Sequence, residues 1–115
     1  MDADHDFRYP CELDRVVDGD TVDLIVDLGF KIKHKIRVRL LKFSAPEPRG
    51  STKSEGLWYA ERAKNWFFNH RHEYLFVETR KSGKYGRWIG EVFYRDAEVQ
   101  GRPVYLHEYM AEGQL

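Results

Sequence analysis

Asp18-Gly19-Asp20-Thr21 sets two carboxylates on either side of a glycine. Asp-Gly is a strong turn dipeptide, and a turn that brings two carboxylates to the start of a strand supplies the hard oxygen ligands that calcium or magnesium prefers. Taken alone, such a tetrapeptide reads more readily as a hairpin turn with solvated aspartates. A second group is Arg37-Val38-Arg39-Leu40-Leu41 followed by Ser44-Ala45-Pro46-Glu47, a cationic strand running into a proline-set loop that offers one carboxylate. Arginine suits phosphate because its planar fork donates paired hydrogen bonds and stays charged. A third is Lys84-Tyr85-Gly86-Arg87, where two cations and a ring able to stack on a base meet at a turn. Singly, these read as a solvated strand face, a surface glutamate and a hairpin tip. Cys11 lacks an evident activating partner and, alternating along a strand, reads as core. His70 and His72 stand at a helix-to-strand boundary without the further ligands a metal pair needs, and read as surface or capping residues.

Strands must carry the first two groups. Phe7, Tyr9, Cys11 and Leu13 share one parity, as do Val22, Leu24, Val26 and Leu28, which predicts two half-buried strands joined at Asp18-Gly19. After a break at Gly29, a third strand sends Ile32, Ile36, Val38 and Leu40 one way and Lys31, Lys33, Lys35, Arg37 and Arg39 the other. The result is a three-strand meander. Residues 43–54 hold two prolines, a glycine and several hydroxyls and read as a loop. Thr52 and Glu55 have capping-box spacing, and the run to about Asn69 sets Ala60, Ala63 and Phe67 on one helical stripe that Tyr59 and Trp66 widen. Two strands follow, near Tyr74 to Thr79 and Trp88 to Tyr94. Pro103 opens a last helix with Leu106, Tyr109 and Met110 facing inward. Three strands, a helix and two more strands suit an α+β, mainly β fold: a five-stranded OB-fold-type barrel with two or three peripheral helices.

A chain of 115 residues has room for one domain, 1–115, with its own core, residues 1–6 forming a flexible tail. Its 42% apolar and 33% charged residues make a globular balance that argues against a disordered chain or a membrane protein, and no apolar run approaches a membrane span. The acidic start, Met1-Asp2-Ala3-Asp4-His5-Asp6, has no signal-peptide character, and a lone cysteine fits a reducing compartment. A cytoplasmic monomer is the default expectation, secretion of a longer precursor aside. The formal net charge is zero, but residues 31–42 hold six cations and no acid, while Asp14 to Asp27 is acid-rich. A basic strip beside an acidic cluster is what a cation-assisted phosphate enzyme needs.

Val17-Asp18-Gly19-Asp20-Thr21-Val22, Val38-Arg39-Leu40-Leu41, Ala45-Pro46-Glu47 and Lys84-Tyr85-Gly86-Arg87 occur in the order and spacing of the thermonuclease (staphylococcal nuclease-like) family, which the chain resembles from about Phe7 to Leu115. The resemblance implies an OB-fold barrel, calcium (Ca2+) dependence and endonucleolytic hydrolysis of phosphodiester bonds in DNA or RNA. Asp20 matches the metal-binding aspartate and Asp18 the carboxylate that supports the site from behind. Arg39 and Arg87 match the arginines that grip the scissile phosphate, Glu47 the general base, and Lys84 and Tyr85 the positions that contact substrate. Where the family pattern has aspartate-threonine before Pro-Glu, this chain has Ser44-Ala45. Ser44 thus offers only a weak neutral ligand beside the backbone carbonyl of Ala45, and cation binding is expected to be weaker. The rival expectation is a nucleic-acid or protein-binding module that keeps the barrel and has lost efficient catalysis.

Overall fold

The computed structural model describes residues 7–82 and 86–113. The alternating segments form strands β1 (Arg8–Asp18), β2 (Thr21–Asp27) and β3 (Lys33–Leu40). Helix α1 (Lys53–Asn69) follows, then β4 (Leu75–Ser82), β5 (Arg87–Asp96), a short β6 (Arg102–Tyr105) and α2 (Leu106–Glu112). The sheet order is β3-β2-β1-β4-β5-β6, and a parallel pairing of β3 with β5 closes the first five strands into a barrel. This is the expected α+β, mainly β, OB-type barrel, with two peripheral α-helices among the described residues.

Closure needs β1 to serve two neighbours. Its first part pairs with β4 (Tyr9 with Val77) and its longer second part with β2 (Leu13 with Leu24). Register shifts between Leu13 and Arg15 and between Val16 and Asp18 supply the bend, as bulges do where a strand curls round a barrel. Inside, Val22, Leu24, Val26, Val38, Leu40, Val77 and Val92 fill the lumen. Phe43, Tyr59, Ala63, Trp66 and Phe67 close over them with Leu106 and Met110 of α2. Each fully buried Val or Leu of this set contributes about 1.5–3 kcal/mol by leaving water.

Four local expectations change. β2 is buried on both faces rather than one: Asp23 lies beneath Arg15 of β1 and Arg37 of β3, and the Thr21 hydroxyl bonds the Asp20 carboxylate. Ile32 precedes β3 in the turn and is exposed. Thr52 stands at the α1 N-cap but makes no cap hydrogen bond; its hydroxyl donates to the Glu47 carbonyl (2.7 Å), the nearer acceptor in the folded loop. Pro103 lies in β6 opposite Arg95, and α2 starts three residues later at Leu106. A proline fits an edge strand, where its missing N–H costs no ladder bond.

Candidate functional site

The Asp18–Thr21 turn is held from two sides. The Leu40 amide donates to the Asp20 carbonyl (2.8 Å), tying the turn to the end of β3. Gly19 faces α1 so closely that a Cβ there would stand 2.5 Å from Tyr59 Cβ and 2.8 Å from Ala45 Cβ. Only glycine lets the turn, the helix and the loop after β3 meet at this point.

Asp20 is the hub. Its Oδ1 accepts from the Thr21 hydroxyl (2.9 Å) and its Oδ2 from the Ala45 amide (2.9 Å), while its own amide donates to Asp18 Oδ1 (3.2 Å). Arg39 Nη2 lies 3.6 Å from Oδ2. Burial pushes the Asp20 carboxyl up, but the hydrogen bonds with Asp18, the Ala45 amide and the Thr21 hydroxyl and the Arg39 charge together outweigh it, so Asp20 is held below the usual carboxylate range. Burial, the hydrogen bond it gives Asp20 and the Asp20 charge push Asp18 up to about 6. Asp20 is thus the stronger acid, and Asp18 is the partner that takes up the pair's proton as the pH falls below about 6.

Arg39 is fixed at three points. Its Nη1 donates to the Leu40 carbonyl (3.1 Å), its Nη2 to Ser44 Oγ (2.8 Å), and the ion pair with Asp20 supplies the third. With 31% of its side chain exposed, the guanidinium is anchored at one edge and open at another. In the parallel β3–β5 register Arg37 stands beside Arg87 and Arg39 beside Ile89. Arg87 therefore projects on the same outer face as Arg39, its Cα about 8 Å away given one strand spacing and two residues of rise.

The remaining predicted residues divide. Ser44 and Ala45 both join the hub. The contact of Ala45 with Asp20 runs through its amide, not its carbonyl. Glu47 does not join: its carboxylate is 69% exposed and lies 3.2 Å from Arg49 Nε. Its backbone is nevertheless fixed, since Thr52 bonds its carbonyl and Gly56 of α1 packs against it with no space for a side chain. Lys84 and Tyr85 lie outside the described residues.

The cationic strip is a ladder of ion pairs. Lys33 pairs with Glu12 (3.5 Å), Lys35 with Asp14 (2.8 Å), and Arg37 with Asp23 through two hydrogen bonds (2.8 and 3.1 Å). The hydrogen bonds from Arg37 above all, with help from Arg15, keep the Asp23 carboxyl below its ordinary value. These rungs were hidden because each partner comes from another strand, at a register that sequence does not display. Sequence reasoning also missed Glu91. It lies on β5 beneath the loop after β3, 2% exposed, and its Oε1 accepts from the Lys42 amide (2.8 Å) while Oε2 has no partner. Burial, above all, pushes its carboxyl up to about 7, with the nearby Glu78 adding to it. Its only sequence signal is an acid on the outer parity of a strand otherwise rich in apolar residues.

A dedicated calcium cage takes six to eight oxygens. No cluster of three or more His, Cys, Asp or Glu able to hold a metal occurs among the described residues. The Ser44 hydroxyl, standing where the family pattern has a carboxylate, is occupied by Arg39. The donor set, one ionised carboxylate with neutral oxygens, does not fit an all-protein cage and would suit at most a largely hydrated divalent cation. No helix among the described residues is long and apolar enough to cross a membrane.

No protein-family model matches the chain. Among curated proteins, Protein ParB of Escherichia coli is 34% identical over 95 residues, a match that takes in 80% of this chain and 45% of that protein. The chain thus spans just under half the length of this curated relative and is similar to that part of it.

Proposed function

We propose that this chain is a phosphodiesterase that cleaves nucleic acid endonucleolytically, with the phosphate gripped by Arg39 and Arg87. One observation carries this: Arg39 is locked between the Leu40 carbonyl, Ser44 and Asp20, with Arg87 one pleat away on the neighbouring strand. A rigid, partly open arginine with a second on the same face suits the stabilisation of charge growing on phosphorus with little reorganisation at the moment of reaction. Glu47 is the general base, taking a proton from the attacking water once substrate draws its carboxylate away from Arg49. An exposed acid on a fixed backbone turns to do this at little cost. Lys84 and Tyr85 contact the substrate.

A divalent cation, calcium on the family's pattern, would be held by Asp20 with Ser44 and the Ala45 carbonyl as neutral ligands and Asp18 behind, and would neutralise phosphate charge. Within the chain, Asp20 keeps Arg39 and the Ala45 loop in place, and Asp18 takes up the pair's proton only below about pH 6.

The second reading, a binding module with little or no catalysis, is favoured by two observations: Arg39 occupies Ser44, and Glu47 faces Arg49. Incubating labelled single-stranded DNA with calcium, with chelator, and with a Glu47→Gln variant separates the two. Calcium-dependent cutting that the variant loses supports the nuclease. Salt-sensitive binding that persists in chelator, with no cutting under any condition, supports the module.

A further inference from the structure

The barrel has a second feature that the phosphate site does not use. At the end of the lumen away from the Asp18–Thr21 turn lies an open pocket of about 330 Å³, lined by Tyr9, Ile36 and Trp88 with His34 and Arg80, and with Phe7 at its rim. Trp88 is 40% and Phe7 45% exposed, large rings left open to water at a concave site. Trp88 pairs with Val38 across β3–β5, and Val38 is a fully buried lumen residue, so Trp88 turns toward the barrel's interior. Arg87, its neighbour on β5, turns to the outer face because strand side chains alternate. One step of β5 thus joins the phosphate site to an aromatic pocket round the rim.

We propose that this barrel mouth is a subsite for an unpaired nucleobase, which makes single-stranded nucleic acid the substrate class. The subsite deepens the phosphodiesterase activity proposed above and rests on it. Three features select this occupant. The volume lies at the lower end of ligand pockets, about 300–1,000 Å³, enough for one ring system and too small for a stacked base pair. The walls combine flat aromatic faces with the polar groups of His34, Thr79 and Arg80, which suits a base that stacks and hydrogen-bonds. The charge suits a polyanion: Lys31, Lys33, Lys35, Arg37 and Arg39 follow one another along 31–39 with no acid between them, and Arg80, paired with Glu78 at 2.8 Å and 54% exposed, stands at the pocket itself. The exposed pairs of Lys33 with Glu12 and Lys35 with Asp14 are weak enough to exchange for phosphates. A base held in a duplex cannot enter; an unpaired base beside a phosphate at Arg87 reaches Trp88.

The test is equilibrium binding of a labelled oligothymidylate, and of the same strand annealed to its complement, by fluorescence anisotropy in chelator. The proteins are the wild type, Trp88→Leu and, at an exposed position that leaves the core intact, His34→Ala; thermal melts confirm folding. The single strand should bind more tightly than the duplex. Trp88→Leu should weaken single-strand binding about tenfold, the usual worth of one base–aromatic stack, and leave duplex binding unchanged. His34→Ala should weaken the single strand by a smaller factor. Equal binding of single strand and duplex, or unchanged single-strand affinity in both variants, overturns the subsite. So does a Trp88→Leu defect confined to anionic vesicles or to self-association in sedimentation. A cleavage assay run alongside separates the two claims. Cutting unaffected by Trp88→Leu condemns the subsite alone, whereas Trp88-dependent binding with no cutting by any protein condemns the nuclease and leaves a single-strand binding site.

Discussion

Replacing Glu91 with glutamine should make the protein more stable at pH 8 and leave it nearly unchanged at pH 4. The side chain is 2% exposed, and only Oε1 has a hydrogen-bond partner. Burial, and then the negative Glu78 opposite it in the β4–β5 register, raises its pKa from the ordinary 4.5 to about 7. Between those values the folded protein keeps a proton that the unfolded chain has lost. Stability therefore falls as pH rises from about 4.5 to about 7 and is level on either side. At about 1.4 kcal/mol per pH decade the loss above pH 7 is about 3 kcal/mol. Glutamine resembles the protonated acid and carries no such penalty. The difference between variant and wild type should grow from near zero at pH 4 to about 3 kcal/mol at pH 8. Urea unfolding of both proteins at pH 4, 5, 6, 7 and 8 measures it. The comparison cancels Asp18, which drifts in the same sense, and Asp20 and Asp23, which drift in the opposite one. A difference that is flat with pH, or that shrinks as pH rises, would refute the assignment of a costly buried carboxylate beneath the Lys42 loop.

Ser44→Asp should tighten calcium binding by calorimetry, because it adds an anionic oxygen beside Asp20; unchanged affinity would remove Ser44 from the cation's surroundings. Gly19→Ala should cost about 1–3 kcal/mol in urea unfolding, since the new methyl meets Tyr59 and Ala45; wild-type stability would show that the turn has slack. Arg37→Ala should destabilise by about 1–3 kcal/mol, less than for a fully buried pair because the Arg37 side chain is 44% exposed and Arg15 still reaches Asp23. A loss below 0.3 kcal/mol would mean that the ladder is ornamental to stability.

Much of the barrel was legible because its signals are local. The alternation of Val22, Leu24 and Val26 and the stripe of Ala60, Ala63 and Phe67 each follow from one backbone period, and both lie in the core. Where local preference met a tertiary competitor, the competitor won. The Thr52 hydroxyl serves the Glu47 carbonyl instead of its own helix, and Pro103 sits in a short strand because Phe93 and Tyr94 offer β6 an edge to pair with. In the site, Asp20, Arg39, Ser44 and Ala45 lie within hydrogen-bond or ion-pair reach of one another, Ala45 through its amide. The direction of the Glu47 carboxylate, the acids facing each cation of β3 and the buried Glu91 were not legible. Each depends on which side chains from other strands share a face, and that is set by register and bulges rather than by any pattern within one segment.

The central claim is that Arg39 stabilises the transition state at phosphorus, and its most direct measurement is the single-turnover cleavage rate of a labelled single-stranded oligonucleotide by wild type and by Arg39→Gln, with saturating calcium. Loss of one such electrostatic donor should slow cutting about a hundredfold to a thousandfold while affinity for the uncut strand changes little. A variant that cuts as fast as the wild type, or a wild type that does not cut at all, would contradict it.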